Sequence, residues 1–135
     1  MAEQTQTNDM RKLATASNPL QVVTNPIVVA TSLGVLGAYL ARSAAFRQRR
    51  DIFGWADRHQ GRIRYWKVGP DGRPLVGQEH PNAYTNRILF NLAGVVLGTV
   101  LINNQLIEDA TADYLGLGVA AGSFANLIII ITGLE

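Results

Sequence analysis

The chain has 135 residues, enough for one domain, yet only 16% are charged against about 25% in an average soluble domain, and 47% are hydrophobic. Charge is also segregated: the 29 residues between Lys12 and Arg42, the 20 between Arg87 and Glu108 and the 21 between Asp113 and Glu135 contain none. A helix needs about 20 mostly apolar residues to cross a bilayer, so the pattern predicts an all-α integral membrane protein with three transmembrane helices; the lack of cysteine excludes disulfides, thiolate metal sites, cysteine nucleophiles and thioether haem attachment.

Residues 1–25 form a polar N-terminal tail rich in Gln, Thr and Asn. It has so little to bury that it is expected to be disordered on its own. The remainder, 26–135, reads as a single membrane domain. Its first span is expected over about 26–46, with Thr24 or Asn25 as the cap and Pro26 in the first turn, where its missing N–H costs nothing. Arg42 can snorkel, and Ala44, Ala45 and Phe46 extend the buried length. Arg11 and Lys12 ahead of this run and Ser43-Ala44-Ala45 at its end are features of a signal peptide. The basic leader would be unusually long, so the run is read as a retained helix.

Residues 47–86 make a basic extramembrane loop. It opens on DIFGWADRHQGR, read as an amphipathic helix end with Ile52, Phe53 and Trp55 at interface depth. IRYWKV and RPLV then read as the strands of a small β-hairpin, about 62–76, joined by Gly69-Pro70-Asp71-Gly72. Pro70 presets that turn and Gly72 supplies a positive φ. A two-stranded hairpin alone is marginal in water, so it must rest on the membrane surface, its own helices or another subunit.

The second span is expected over about 87–107 and the third over about 113–134. Residues 108–113 are too few for anything but a tight connection, so these helices form an antiparallel pair. The segment between the first two spans holds ten of the twelve Lys and Arg residues and four acidic ones, a net +6; the rest of the chain has two basic and six acidic residues, a net −4. By the positive-inside rule the 47–87 loop lies on the cytoplasmic or interior side, with the N-terminus and the 108–113 turn outside.

The middles of the spans hold no ionisable residue, which argues against a proton-carrying rotor, a secondary transporter or a voltage sensor. They hold glycines instead. Gly94 with Gly98, and Gly118 with Gly122, are GxxxG pairs of the kind that let helix backbones approach closely in lipid. A hairpin centred near residue 110 sets Gly98 opposite Ser123 and Asn126 opposite Val95, one turn from Asn91. An Asn91–Asn126 hydrogen bond is then feasible, worth roughly 0.6 to 2 kcal/mol in such settings; the competing reading sends one asparagine to a partner chain.

Other constellations favour structural roles. Asp57-Arg58-His59 has acid and base groups but no nucleophile nearby, and His59 with His80 lacks enough further ligands for a metal. Ser123 has no membrane histidine to activate it and reads as a packing residue. Glu108, Asp109 and Asp113 could take a divalent cation, but helix-end charges explain them more simply. Neither a cofactor nor a metal site is expected. The basic and aromatic stretch Arg62, Arg64, Tyr65, Trp66 and Lys67 suits anionic lipid headgroups or a protein partner, with nucleic acid the least favoured reading because the positive-inside rule already accounts for the charge. The expected role is a non-catalytic structural or assembly subunit of a larger membrane complex, either a bioenergetic complex or a membrane-containing virion. Its partners would be other membrane subunits, copies of itself and the bilayer. A self-associating, holin-like pore former is the alternative, followed by a membrane anchor that presents the basic hairpin to nucleic acid or anionic lipid.

Overall fold

A computed structural model describes residues 2–103 and 109–134. Three long helices dominate it: α3 (Pro26–Gln48), α5 (Ala83–Ile102) and α6 (Ala110–Thr132). Each is long and apolar enough to cross a membrane; at about 1.5 Å per residue, 20 to 23 residues cover roughly 30 to 34 Å. The short helices α1 (Ala2–Ala14) and α2 (Pro19–Val23) precede them, and α4 (Arg50–Phe53) with the strands β1 (Trp55–His59), β2 (Arg62–Val68) and β3 (Pro74–Glu79) fills the middle of the chain.

Local chemistry sets the helix starts. Asn25 caps α3 by accepting from the Ile27 N–H at 2.9 Å, with Pro26 in the first turn, and Asp109 caps α6 by accepting from Thr111 N–H at 2.9 Å. α5 begins four residues before the expected 87, because Arg87 is buried within the helix instead of marking its exposed end. It is described to Ile102, and α6 begins at Ala110, inside the expected 108–113 connection, so 110–113 are helical; residues 104–107 of the expected second span lie outside the described residues.

α6 is the central helix. Its small residues serve two faces, one for each neighbour. Towards α5, a Cβ added at Gly98 would come within 2.5 Å of Gly116 O and Ala120 N, and one at Gly94 would collide with the Ser123 side chain. Towards α3, a Cβ at Gly118 would run into Thr31 O, while Gly122 lies against Val35 and Gly34 against Leu115 and Gly118. The two GxxxG pairs therefore belong to different interfaces. The α5–α6 register also differs by one turn from the expected one, with Gly94 rather than Gly98 facing Ser123. The backbones meet where side chains are smallest, and that choice fixes the register rather than the midpoint of the connecting turn.

The N-terminal tail differs from expectation. Its first fourteen residues, instead of lacking structure, include a helix that docks across the starts of α3 and α6. Asp9 is only 5% exposed and accepts from the Tyr114 hydroxyl at 2.8 Å, Asn25 Nδ2 donates to Asp9 O at 2.9 Å, and Gln6 donates to Asp113. Polar contacts hold this helix where apolar burial could not. Ala30, Ala110 and Tyr114 form the small apolar core beneath it.

The expected hairpin is part of a three-stranded antiparallel sheet of order β1-β2-β3. Gly69 and Gly72 close the β2–β3 turn, with Gly72 at φ 79°. β3 continues to Glu79 past a bulge at Gly77, φ 93°. The amphipathic helix expected from residue 51 lasts one turn: Gly54, at φ 70°, ends it, and Trp55–His59 is a strand paired with β2. Gln60 and Gly61, at φ 53° and 80°, make the two-residue hairpin turn whose twist suits antiparallel strands.

Candidate functional site

The densest polar chemistry lies where the sheet meets the helices. A one-turn helix leaves its last carbonyls without partners. In α4 the partners come from the 80–87 segment: His80 Nε2 donates to Asp51 O at 2.6 Å, Asn86 Nδ2 to Ile52 O at 2.8 Å, and Arg87 to Phe53 O and Gly54 O at 2.7 and 3.2 Å. His80 Nδ1 accepts from Asn82 N–H, which leaves the ring proton on Nε2. Arg87 is 4% exposed, and its guanidinium lies against the rings of Phe46 and Tyr65, 4.5 and 4.4 Å from their centroids. Phe46, Phe53 and Phe90 pack beside it with centroids 4.6 to 5.7 Å apart. Gly54 is required here on two counts, its positive φ and the 2.9 Å that would separate a Cβ from Ala83 Cβ. The result ties the sheet to α3, α4 and α5 through one buried cation.

Beside this joint, a cleft of about 350 Å³ opens between α3, α4 with the start of β1, and α6. Arg42, Arg47, Arg50 and Arg87 line it with Tyr39, Phe46 and Trp55, and among the described residues no acidic side chain lines it. Asp51 lies close in sequence but its carboxylate is paired with Arg49 at 2.9 Å. The hydrogen bond from Arg49 holds the Asp51 carboxyl below its ordinary pKa, so it stays anionic.

The residues of the basic stretch are divided among several tasks. Trp66 is 4% exposed, with its indole N–H donating to Asp57 Oδ2 at 3.1 Å and its ring edge-on to His59. Tyr65 covers Arg87, and Arg64 pairs with Glu79. Arg62 and Lys67 remain exposed. In the helices Asn126 Nδ2 donates to Asn91 Oδ1 at 3.0 Å, and Asn91 Nδ2 donates to Arg87 O at 2.8 Å. This buried chain runs from the α5–α6 interface to the joint.

His59 and His80 serve different contacts, and among the described residues no group of three or more His, Asp and Glu side chains could hold a metal. Asp109 caps α6 and Asp113 accepts from Gln6; Glu108 lies outside the described residues. Sequence reasoning missed the arginine cleft because its arginines come from three separate elements, α3, α4 and α5. One signal was present: Arg42 and Phe46 stand at four-residue spacing near the end of α3, one turn apart on the same face, with Arg50 following at the start of α4.

No protein-family model matches the chain, and neither a curated protein nor a solved structure is significantly similar to it. The fold is three long apolar helices with a small three-stranded sheet, of a length and composition that suggest a multi-pass membrane protein.

Proposed function

We propose that this protein spans a bilayer three times and serves as a non-catalytic structural or assembly subunit of a larger membrane complex, with the basic sheet on the interior side. The observation that carries the reading is the distribution of polarity across the helices. Asn91, Ser123 and Asn126 are buried between α5 and α6, whereas Leu33, Leu40, Leu89, Val96, Leu97, Phe124 and Ile131 are each more than half exposed. An apolar belt of this kind calls for lipid or partner helices around it. With the membrane-depth amides turned inward, the outward faces offer a water-filled lumen little to hydrogen-bond, which favours a subunit over a self-associating pore. Exposed Arg62 and Lys67 favour, as a second reading, an anchor that presents the sheet edge to anionic lipid or to a partner protein.

Gentle solubilisation followed by mass spectrometry of co-purifying chains tests the assignment. Stoichiometric partners are expected. A small homo-oligomer running alone, together with loss of membrane integrity on expression, would assign the pore function instead. Sidedness is tested with single cysteines introduced into this cysteine-free chain at Thr7 and Gln78. An impermeant maleimide applied from outside should label the first and spare the second.

A further inference from the structure

The first span is short of apolar length. From Pro26 to Ala41, sixteen residues without a charge rise about 24 Å as helix, against a hydrocarbon layer of about 30 Å, and Arg42 closes the stretch on the side of the sheet. At the opposite end, apolar surface continues beyond the span. Among the described residues α2 buries none of its five: Leu20 is 69%, Val23 57% and Val22 36% exposed. Much of the polar chemistry of this turn is meanwhile satisfied from within. Asn18 Oδ1 accepts from Gln21 N–H at 3.0 Å, Ser17 N–H donates to Gln21 Oε1 at 2.7 Å, and the Thr24 hydroxyl and N–H donate to Leu20 O at 2.7 and 3.1 Å. A segment that keeps its hydrogen bonds to itself and turns leucine and valine outward suits a boundary of low polarity.

From the short span and the exposed α2 together we infer that α2 is an interfacial membrane anchor. Leu20 and Val23 lie between the headgroups and acyl chains of a phospholipid bilayer, at the end of α3 away from the sheet. Leu20 precedes Pro26 by six residues, and helix and turn of that length span roughly 10 Å, so α2 stays near the boundary while α3 is in the bilayer. Charge fits the same partner. Arg11 and Lys12 are exposed in the last turn of α1, and Lys12 shares a polar recess of about 410 Å³ with Gln21 and Thr24, which sets that basic end beside α2 at the level of the phosphates. A protein partner or a second copy of the chain would cover Leu20 and Val23 but would leave the missing length of the first span unfilled. The anchor rests on the bilayer-spanning reading above. It supplies apolar length to α3 and steadies the base on which α1 docks through Asp9 and Tyr114.

The test uses the full chain, which has no cysteine, in phosphatidylcholine vesicles with a spin label on one introduced cysteine at a time. Collisions with oxygen, which concentrates among acyl chains, and with a water-soluble nickel chelate give the depth of each label. Labels at Leu20→Cys and Val23→Cys should lie deeper than one at Thr7→Cys on α1 and shallower than one at Leu33→Cys within α3. Leu20→Gln/Val23→Gln should draw the start of α3 towards water, so that a label at Val29→Cys meets the chelate severalfold more often. Leu20→Met/Val23→Ile, which keeps the apolar surface, should leave that label where it was. Labels at 20 and 23 as open to the chelate as the one at Thr7→Cys overturn the anchor. So do labels shielded from both reagents, which assign the surface to a protein partner or a second copy. A Val29→Cys label that the glutamine pair fails to move also overturns it. A Leu33→Cys label open to the chelate strikes the bilayer-spanning reading and the anchor with it, whereas a deep Leu33→Cys beside water-exposed labels at 20 and 23 strikes only the anchor.

Discussion

Gly98→Ala and Gly37→Ala are the same chemical change in two apolar helices, and the structure assigns them opposite signs. At Gly98 the new Cβ would lie 2.5 Å from Gly116 O and Ala120 N and 2.7 Å from Ala120 Cβ, against an ordinary contact of about 3.4 Å or more. Two of these three atoms are backbone, so the helices must separate by roughly 1 Å or the side chain must remain strained. Such overpacking costs about 1 to 3 kcal/mol. Replacing a helical glycine by alanine recovers about 0.5 to 1 kcal/mol through backbone entropy, which leaves a net loss of roughly 1 to 2 kcal/mol. At Gly37 nothing lies within 4 Å of the added Cβ, so only the favourable part remains. SDS-titrated unfolding in mixed micelles, followed by helical circular dichroism, reads both. Gly98→Ala should lower the folding constant about tenfold, and Gly37→Ala should raise it severalfold. If both substitutions move the midpoint in one direction, close backbone packing at the α5–α6 interface is not what holds these helices together.

Two further outcomes follow from the buried polar contacts. Arg87→Met removes hydrogen bonds to Phe53 O and Gly54 O and the stacking on Phe46 and Tyr65; a loss of about 3 kcal/mol or more at the joint is expected, because carbonyls there are left buried without those donors. Limited proteolysis should then cut within 55–79 while the helix content holds, and Arg87→Lys should recover only part of the protection, since an ammonium cannot reproduce the planar fork. For the asparagine pair, Asn91→Leu and Asn126→Leu should each destabilise, and the double variant should cost less than their sum. A coupling of about 0.6 to 2 kcal/mol in that cycle is expected, and a value near zero would show that the 3.0 Å contact does not operate in the membrane.

Much of the architecture was legible because it depends on composition over whole segments. The uncharged intervals 88–107 and 114–134 mark α5 and α6 to within about five residues; the first, 13–41, only overlaps α3, whose start Pro26 behind Asn25 marks directly. The strand at Trp55–His59 was not legible, since its alternation is short and Gln60-Gly61 is a weak hairpin signal beside the stronger Gly69–Gly72 turn. Trp66 shows the same limit on the side-chain level. In the sequence it is one more aromatic residue in a basic stretch, and only the β1 strand, which brings Asp57 and His59 to it, turns it inward.

By itself, then, the sequence determines segment character: where charge is absent for 20 residues or more, where it collects, and which helices contain glycine at four-residue spacing. These are sums along the chain, and solvent preference reads sums. Tertiary structure alone decided which glycine pair meets which helix, that Arg87 is a buried joint rather than a boundary charge, and that arginines from α3, α4 and α5 converge on one cleft. Those outcomes depend on contacts between residues tens of positions apart. Close packing fixes them through distances of a few ångströms, which no local periodicity encodes.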